Sequence, residues 1–323
     1  MRRIPLGLLL VAVPVFAVTV FVSGCGKDEK KDQASSSGGE TKEEKKASGP
    51  AKVMESKGGV LKGKVTLASQ PDVKKLTNDL LKQIDDKKDQ KDYCLKGGET
   101  EKTEQQYRIG KNNNLGNVFV WVVPASGTIF KVDANRLAEA KKPVKIDQPH
   151  CAFVPHCAIA FVQYSADAST PSKKTSTGQI IEIHNSAEVS HNTNYAAGPK
   201  NPKSDVTLKP KGDPMKIEDL QVDTQPMKFK CGIHPWMDAY VRLVDTPYYA
   251  ITRSDTAEDA YKVKEDADTF GTYEIKNLPV GKVKVIAWHE NAGYLNAGGG
   301  SGEEIEIQEG KPAEKDFTAK PPQ

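Results

Sequence analysis

The sequence predicts an all-β protein: a β-sandwich of antiparallel strands with one short helical insertion, in one large β domain or two small ones. Three observations carry that expectation. Short apolar runs recur along the chain, several alternating apolar and polar residues as half-buried strands do. Gly, Pro, Asn and Asp punctuate these runs, and long amphipathic helices are scarce.

The chain opens on "MRRIPLGLLLVAVPVFAVTVFVSGCG", in which two arginines lead into an apolar stretch over 4–22 and then into Ser23, Gly24 and Cys25. That order reads as an export signal over 1–24. "VSGC" also fits a lipobox, in which small residues precede a cysteine that is acylated once the signal is cut, making Cys25 the first mature residue. A retained transmembrane helix is the alternative, because the apolar run has roughly the length of a bilayer span. Either reading places the bulk of the chain outside the cytoplasmic membrane, in the cell envelope; the lipobox reading, which is preferred, anchors it through Cys25 on the periplasmic or extracytoplasmic face of a membrane.

Residues 25–57 are rich in Lys, Glu, Ser and Gly with almost nothing to bury, which reads as a disordered tether. The formal net charge is +3, from 46 basic and 43 acidic residues. So even a balance implies no large basic patch and argues against nucleic acid as a partner.

From residue 58 the strand candidates are "GVLKGKVTL", "NVFVWVVP", "AIAFVQY", "IIEIHN", "MKFKC", "YVRLVD", "GTYEI", "GKVKVIAW" and "EEIEIQ". Turn residues separate them, as in a sandwich. The helix is expected over 72–86, where Val73, Leu76, Leu80 and Ile84 fall on one face.

The chemistry concentrates in "KFKCGIHPWMDAY", where Cys231, His234 and Met237 stand at C-x2-H-x2-M spacing. A thiolate and an imidazole three residues apart on a tight turn can face one ion. Zinc sites seldom recruit a neutral thioether, whereas copper electron-transfer sites combine two His and one Cys with a weak axial Met. A second histidine is therefore required, and the chain has six in all. His191, just past a predicted strand in "IIEIHNSAEVSHNTNY", is preferred, with His184 at the strand end as the other choice.

"NSAEVSHN" followed by "KCGIHPWM" resembles the cupredoxins, the small blue copper proteins, with loop spacing similar to that of amicyanin. The resemblance implies a Greek-key cupredoxin sandwich with one mononuclear type 1 copper. His191, Cys231 and His234 would be equatorial ligands and Met237 axial. Asn192 would tie the His191 segment to the Cys loop. Pro235 and Trp236 would frame the exposed edge of His234 as the docking point for a transient redox protein partner. A wider resemblance, to exported bacterial plastocyanin-like or methylamine-utilisation-like proteins, rests on "GVLKGKV", "LGNVFVWV", "IDQPHCAFVPH" and "YEIKNLPVGKVKVIAWHE". The last segment is also similar to a carboxypeptidase-regulatory β-sandwich, and the two resemblances together imply a cupredoxin-like domain over 58–245 followed by a small second β-sandwich over 246–323. Extra residues at 165–177 and 254–269 depart from that pattern.

Besides Cys25 and Cys231 the chain has Cys94, Cys151 and Cys157, and sequence alone permits all three pairings. The resembling proteins carry Cys at the first two positions, which implies a Cys94–Cys151 disulfide and leaves Cys157 as a buried thiol. In "HCAFVPHC" an extended strand would send positions 150 and 156 to one face and 151 and 157 to the other, so one compact four-ligand site is not expected. His156 reads as a structural histidine under the sheet, and His289 as the cap of a strand. No nucleophile elbow, H-E-x-x-H, phosphate loop or C-x-x-C-H haem motif occurs. The expected function is thus one-electron transfer, with no enzyme activity and no small-molecule substrate. Copper binding and delivery, or a structural envelope lipoprotein, are the competing readings.

Overall fold

The structure, a computed structural model, describes residues 49–252 and 267–320. The expected signal over 1–24, Cys25 and most of the tether lie outside the described residues, as does most of the extra stretch at 254–269. Among the described residues no helix is long and apolar enough to cross a membrane.

The protein is all-β, built as two sandwiches. One sheet of the first orders Ser204–Leu208, His191–Ala196, Met227–Lys230, Asp238–Val244 and Cys157–Phe161. Its facing sheet orders Met215–Ile217, Ile181–His184 and Val144–Asp147. Within this sandwich the expectation of antiparallel strands holds except at Asp238–Val244 with Cys157–Phe161 and at Val144–Asp147 with Ile181–His184, which pair in parallel; elsewhere Lys52–Met54 with Thr128–Phe130, and Ser56–Leu67 with Ala313–Glu314 and Phe317–Ala319, are parallel too. Ile146, Ile181, Ile183, Ile217, Met227, Phe229 and Val241 fill the core between the two sheets.

The second sandwich draws on both ends of the chain. Phe119–Pro124 pairs with Gly281–His289 and Tyr249–Ile251, and Ser56–Leu67 pairs with Thr272–Pro279. The boundary at 245/246 therefore does not separate the strands, because two expected before it are completed only by strands after it. Ordered backbone also begins within the expected tether: Lys52–Met54 pairs with Thr128–Phe130, and Met54 is buried.

A third apolar layer joins the two sandwiches, and strand alternation explains it. In Cys157–Phe161, Ala158 and Ala160 face the first core while Cys157, Ile159 and Phe161 face outward. In Phe119–Pro124, Val120 and Val122 face the second core while Phe119 and Trp121 face back toward that same layer. A strand buried on both faces reads as a continuous apolar run, which is why "AIAFV" and "FVWVV" alternate so poorly. The Phe119 and Trp288 rings stack there with centroids 5.8 Å apart.

The helix spans Val73–Asp86 as the spacing predicts. Asp72 caps it, its side chain accepting from the Lys75 N–H at 2.9 Å. Leu80 and Ile84 enter the first core, whereas Val73 and Leu76 pack against the second.

Because Ser56–Leu67 and Phe119–Pro124 are covered by strands beyond residue 245, a chain truncated after 245 should lose cooperative unfolding. Chemical denaturation followed by circular dichroism checks this. A truncated chain with a single sharp transition would show that the first sandwich folds without the second.

Candidate metal centre

Met227–Lys230 and Asp238–Val244 form an antiparallel hairpin, and residues 231–237 are its seven-residue loop. Two backbone bonds close the loop: Cys231 N–H donates to the Met237 carbonyl at 3.2 Å and Met237 N–H to that of His234 at 2.9 Å. Cys231, His234 and Met237 are all buried. The spacing reads well because each donor sits where the loop turns inward.

The adjacent strand His191–Ala196 pairs with Met227–Lys230, Asn194 opposite Lys230, and so carries His191 alongside the Cys loop. The His191 and His234 Nδ1 atoms lie 3.1 Å apart, and Cys231 Sγ lies 3.7 Å from His234 Nδ1. The three donor atoms fall within 4.8 Å of one another. His184 is elsewhere: its strand belongs to the facing sheet, and its Nε2 meets the Glu182 carboxylate at 3.3 Å. Of the two histidines that spacing allows, the fold brings His191 to the cysteine.

Asn192 joins the two segments. Its backbone N–H donates to Cys231 Sγ at 3.3 Å, and its side-chain oxygen accepts from the Gly232 N–H at 2.9 Å. The Asn192 amide nitrogen in turn donates to Asp205, which also accepts from Asn194 at 3.0 Å.

Burial pushes both ring pKa values down, His191 to about 4 and His234 to about 4, so each imidazole is neutral at neutral pH. The Gln90 side-chain oxygen accepts from His234 Nε2 at 2.6 Å, which leaves Nδ1 as the lone-pair nitrogen facing Cys231 and His191. His191 Nε2 is buried without a hydrogen-bond partner, although the His150 backbone carbonyl acts on the ring. Two imidazole nitrogens sharing an ion about 2 Å away would be separated by roughly the distance seen here. With a thiol beside them and Met237 buried in the same loop, the donor set fits a copper ion.

The exposed His234 edge expected from the sequence is absent. His234 is fully buried, Pro235 is exposed and Trp236 is half-buried. Gln90 covers the ring from the short connection between Val73–Asp86 and the helical turn Lys91–Cys94. Cys94 is disulfide-bonded to Cys151, and these sulfur atoms also lie within 4.8 Å of a His234 nitrogen. Trp236 Nε1 donates to the Cys151 carbonyl at 2.9 Å. The helical insertion thus roofs the loop, and Gln90 carries no sequence signal for this role because it stands 144 residues from His234.

No protein-family model and no curated protein matches the chain. Among solved structures it is similar to a copper-containing nitrite reductase from Thermus scotoductus SA-01, at 16% identity over 32% of this chain and 23% of that one, with a TM-score of 0.25. It is also similar to a purple cupredoxin from Nitrosopumilus maritimus, at 15% identity over 31% of this chain and 99% of that one, with a TM-score of 0.22. The chain spans about a quarter of the nitrite reductase. Likeness this slight decides neither family nor function.

Gln90→Ala should strip the buried His234 Nε2–H of its acceptor and destabilise the fold by about 1–3 kcal/mol. Denaturant midpoints of the two proteins test this. An unchanged midpoint would mean that Gln90 does not anchor the ring.

Proposed function

We propose that the chain is a copper protein of type 1 that passes single electrons between redox partners, with His191, Cys231 and His234 as principal ligands and Met237 as the weak axial one. One observation carries the reading: two buried imidazole Nδ1 atoms and one buried thiol converge, at 3.1 and 3.7 Å, with a methionine buried in the same loop. Copper, when bound, supplies a one-electron couple whose two oxidation states both tolerate this mixed donor set.

The protein's residues do the rest. Burial keeps both rings neutral and water away, Gln90 fixes the His234 tautomer, and the Asn192 N–H polarises the thiolate. A redox protein partner would dock transiently on the roof, near Pro235 and Trp236, and the electron would cross that layer to His234. No catalysis and no small-molecule substrate are invoked. The sequence from 1 to 25 supports an envelope-anchored protein held through Cys25.

The test is to load the full chain with Cu(II) and record visible and paramagnetic-resonance spectra. An intense thiolate-to-copper band is expected, lost in Cys231→Ser and in His191→Ala. A colourless protein that retains no copper would overturn the reading, and a band surviving in His191→Ala would overturn the ligand assignment.

A further inference from the structure

His234 sits inside a closed circuit of contacts that runs through the Cys94–Cys151 disulfide, and the electron-transfer reading gives that bond no task beyond cover. On one side of the ring Gln90 Oε1 accepts from Nε2 at 2.6 Å, and on another the Trp236 ring lies 5.2 Å away, centroid to centroid. Both contacts lead to the disulfide. The Gln90 carbonyl accepts from the Cys94 N–H at 3.0 Å, so Gln90 and Cys94 share one helical turn and move together. Trp236 Nε1 donates to the Cys151 carbonyl at 2.9 Å, which ties the loop to the other half of the bond.

Little else holds this part of the roof down. No residue of 87–92 is buried, and besides Gln90 the stretch is all lysine and aspartate. Its Lys91–Asp85 ion pair stays within the insertion. Firm anchors flank it: Ile84 is buried in the first core, and the Tyr93 hydroxyl donates to the Pro149 carbonyl at 3.0 Å and accepts from the Glu188 N–H at 2.8 Å. The stretch between them is a flap whose catch is the disulfide.

Beneath the flap lies a thiol. Cys231 is 2% exposed, and its Sγ is 3.7 Å from His234 Nδ1. The disulfide itself is nearer the surface, because Tyr93 and His150, which stand next to its two cysteines, are only half-buried.

We infer that the Cys94–Cys151 disulfide is a redox latch on the metal pocket. Closed, it seals His234 and Cys231 from solvent; opened by a dithiol reductant, it frees the 87–92 flap to swing off His234 and exposes the Cys231 thiol. One thiolate of the reductant attacks a latch sulfur and the other cysteine leaves as a thiol. The reductant's second thiol then displaces the mixed disulfide, so the protein gains two electrons and two protons and the reductant ends as a disulfide. What the latch serves rests on the copper reading, in which it decides when an ion enters or leaves. The seal over Cys231 does not rest on it.

The test follows alkylation of individual cysteines by N-ethylmaleimide in the metal-free full chain, resolved by peptide mapping. Cys157, buried where the two sandwiches meet, reports any general loosening. Treatment with dithiothreitol in the absence of denaturant, followed by removal of the reductant, should speed alkylation of Cys231 at least about tenfold while Cys157 stays slow. Reoxidation should restore the protection, and the double variant Cys94→Ser, Cys151→Ser should reproduce the open state. A disulfide that dithiothreitol cannot cleave in the folded chain would overturn the inference, as would an unchanged rate at Cys231 or an equal rise at Cys157. The reduction arm decides the matter even where the double variant does not fold. Because no metal is present, failure of the copper reading leaves these outcomes untouched.

Discussion

Asn192 is the constraint on which the centre depends. A hairpin loop can gather Cys231, His234 and Met237 unaided, since its own backbone bonds turn them inward. The remaining histidine belongs to a neighbouring strand, and ordinary pairing fixes that strand only to the nearest residue. Asn192 supplies the finer alignment, its side chain holding the Gly232 amide and its own N–H reaching Cys231 Sγ. Because the second bond ends on the sulfur, the contact that positions His191 also bears on the electron density of Cys231 Sγ.

Around that clamp the fold excludes water from every side. The first core lies beneath the loop, and the Gln90 connection and the Cys94–Cys151 disulfide lie over His234. The second sandwich braces the sheet from behind. Strands apolar on both faces cannot remain at a surface, so Cys157–Phe161 and Phe119–Pro124 demand cover on each side and stack the sandwiches back to back. A ring held this way has little freedom to reorient, which would suit a site that changes charge without rearranging. No edge of His191 or His234 is bare, so under the proposed function an electron would pass through a roof of side chains.

Local features were readable in advance. The helix announces itself through Val73, Leu76, Leu80 and Ile84 and an Asp cap, and the strands through short apolar runs between turns. The loop donors are legible because all three stand within seven residues. What could not be read is what only long-range pairing decides. "GVLKGKVTL" finds its partner in "TYEIKNLP", about two hundred residues later, and nothing in either segment names the other. The same holds for Gln90, a polar residue among lysines and aspartates whose contact with His234 comes from tertiary packing alone. The choice between His191 and His184 sits between these limits: spacing narrowed it to two, and strand pairing separated them.

The central claim is that Cys231, His191 and His234 act on one ion. X-ray absorption at the copper edge of the copper-loaded chain tests it most directly, because it counts the atoms bonded to the metal. The account predicts one sulfur and two imidazole nitrogens as the nearest neighbours, with the sulfur signal lost in Cys231→Ser. A spectrum explained by nitrogen and oxygen alone would contradict it.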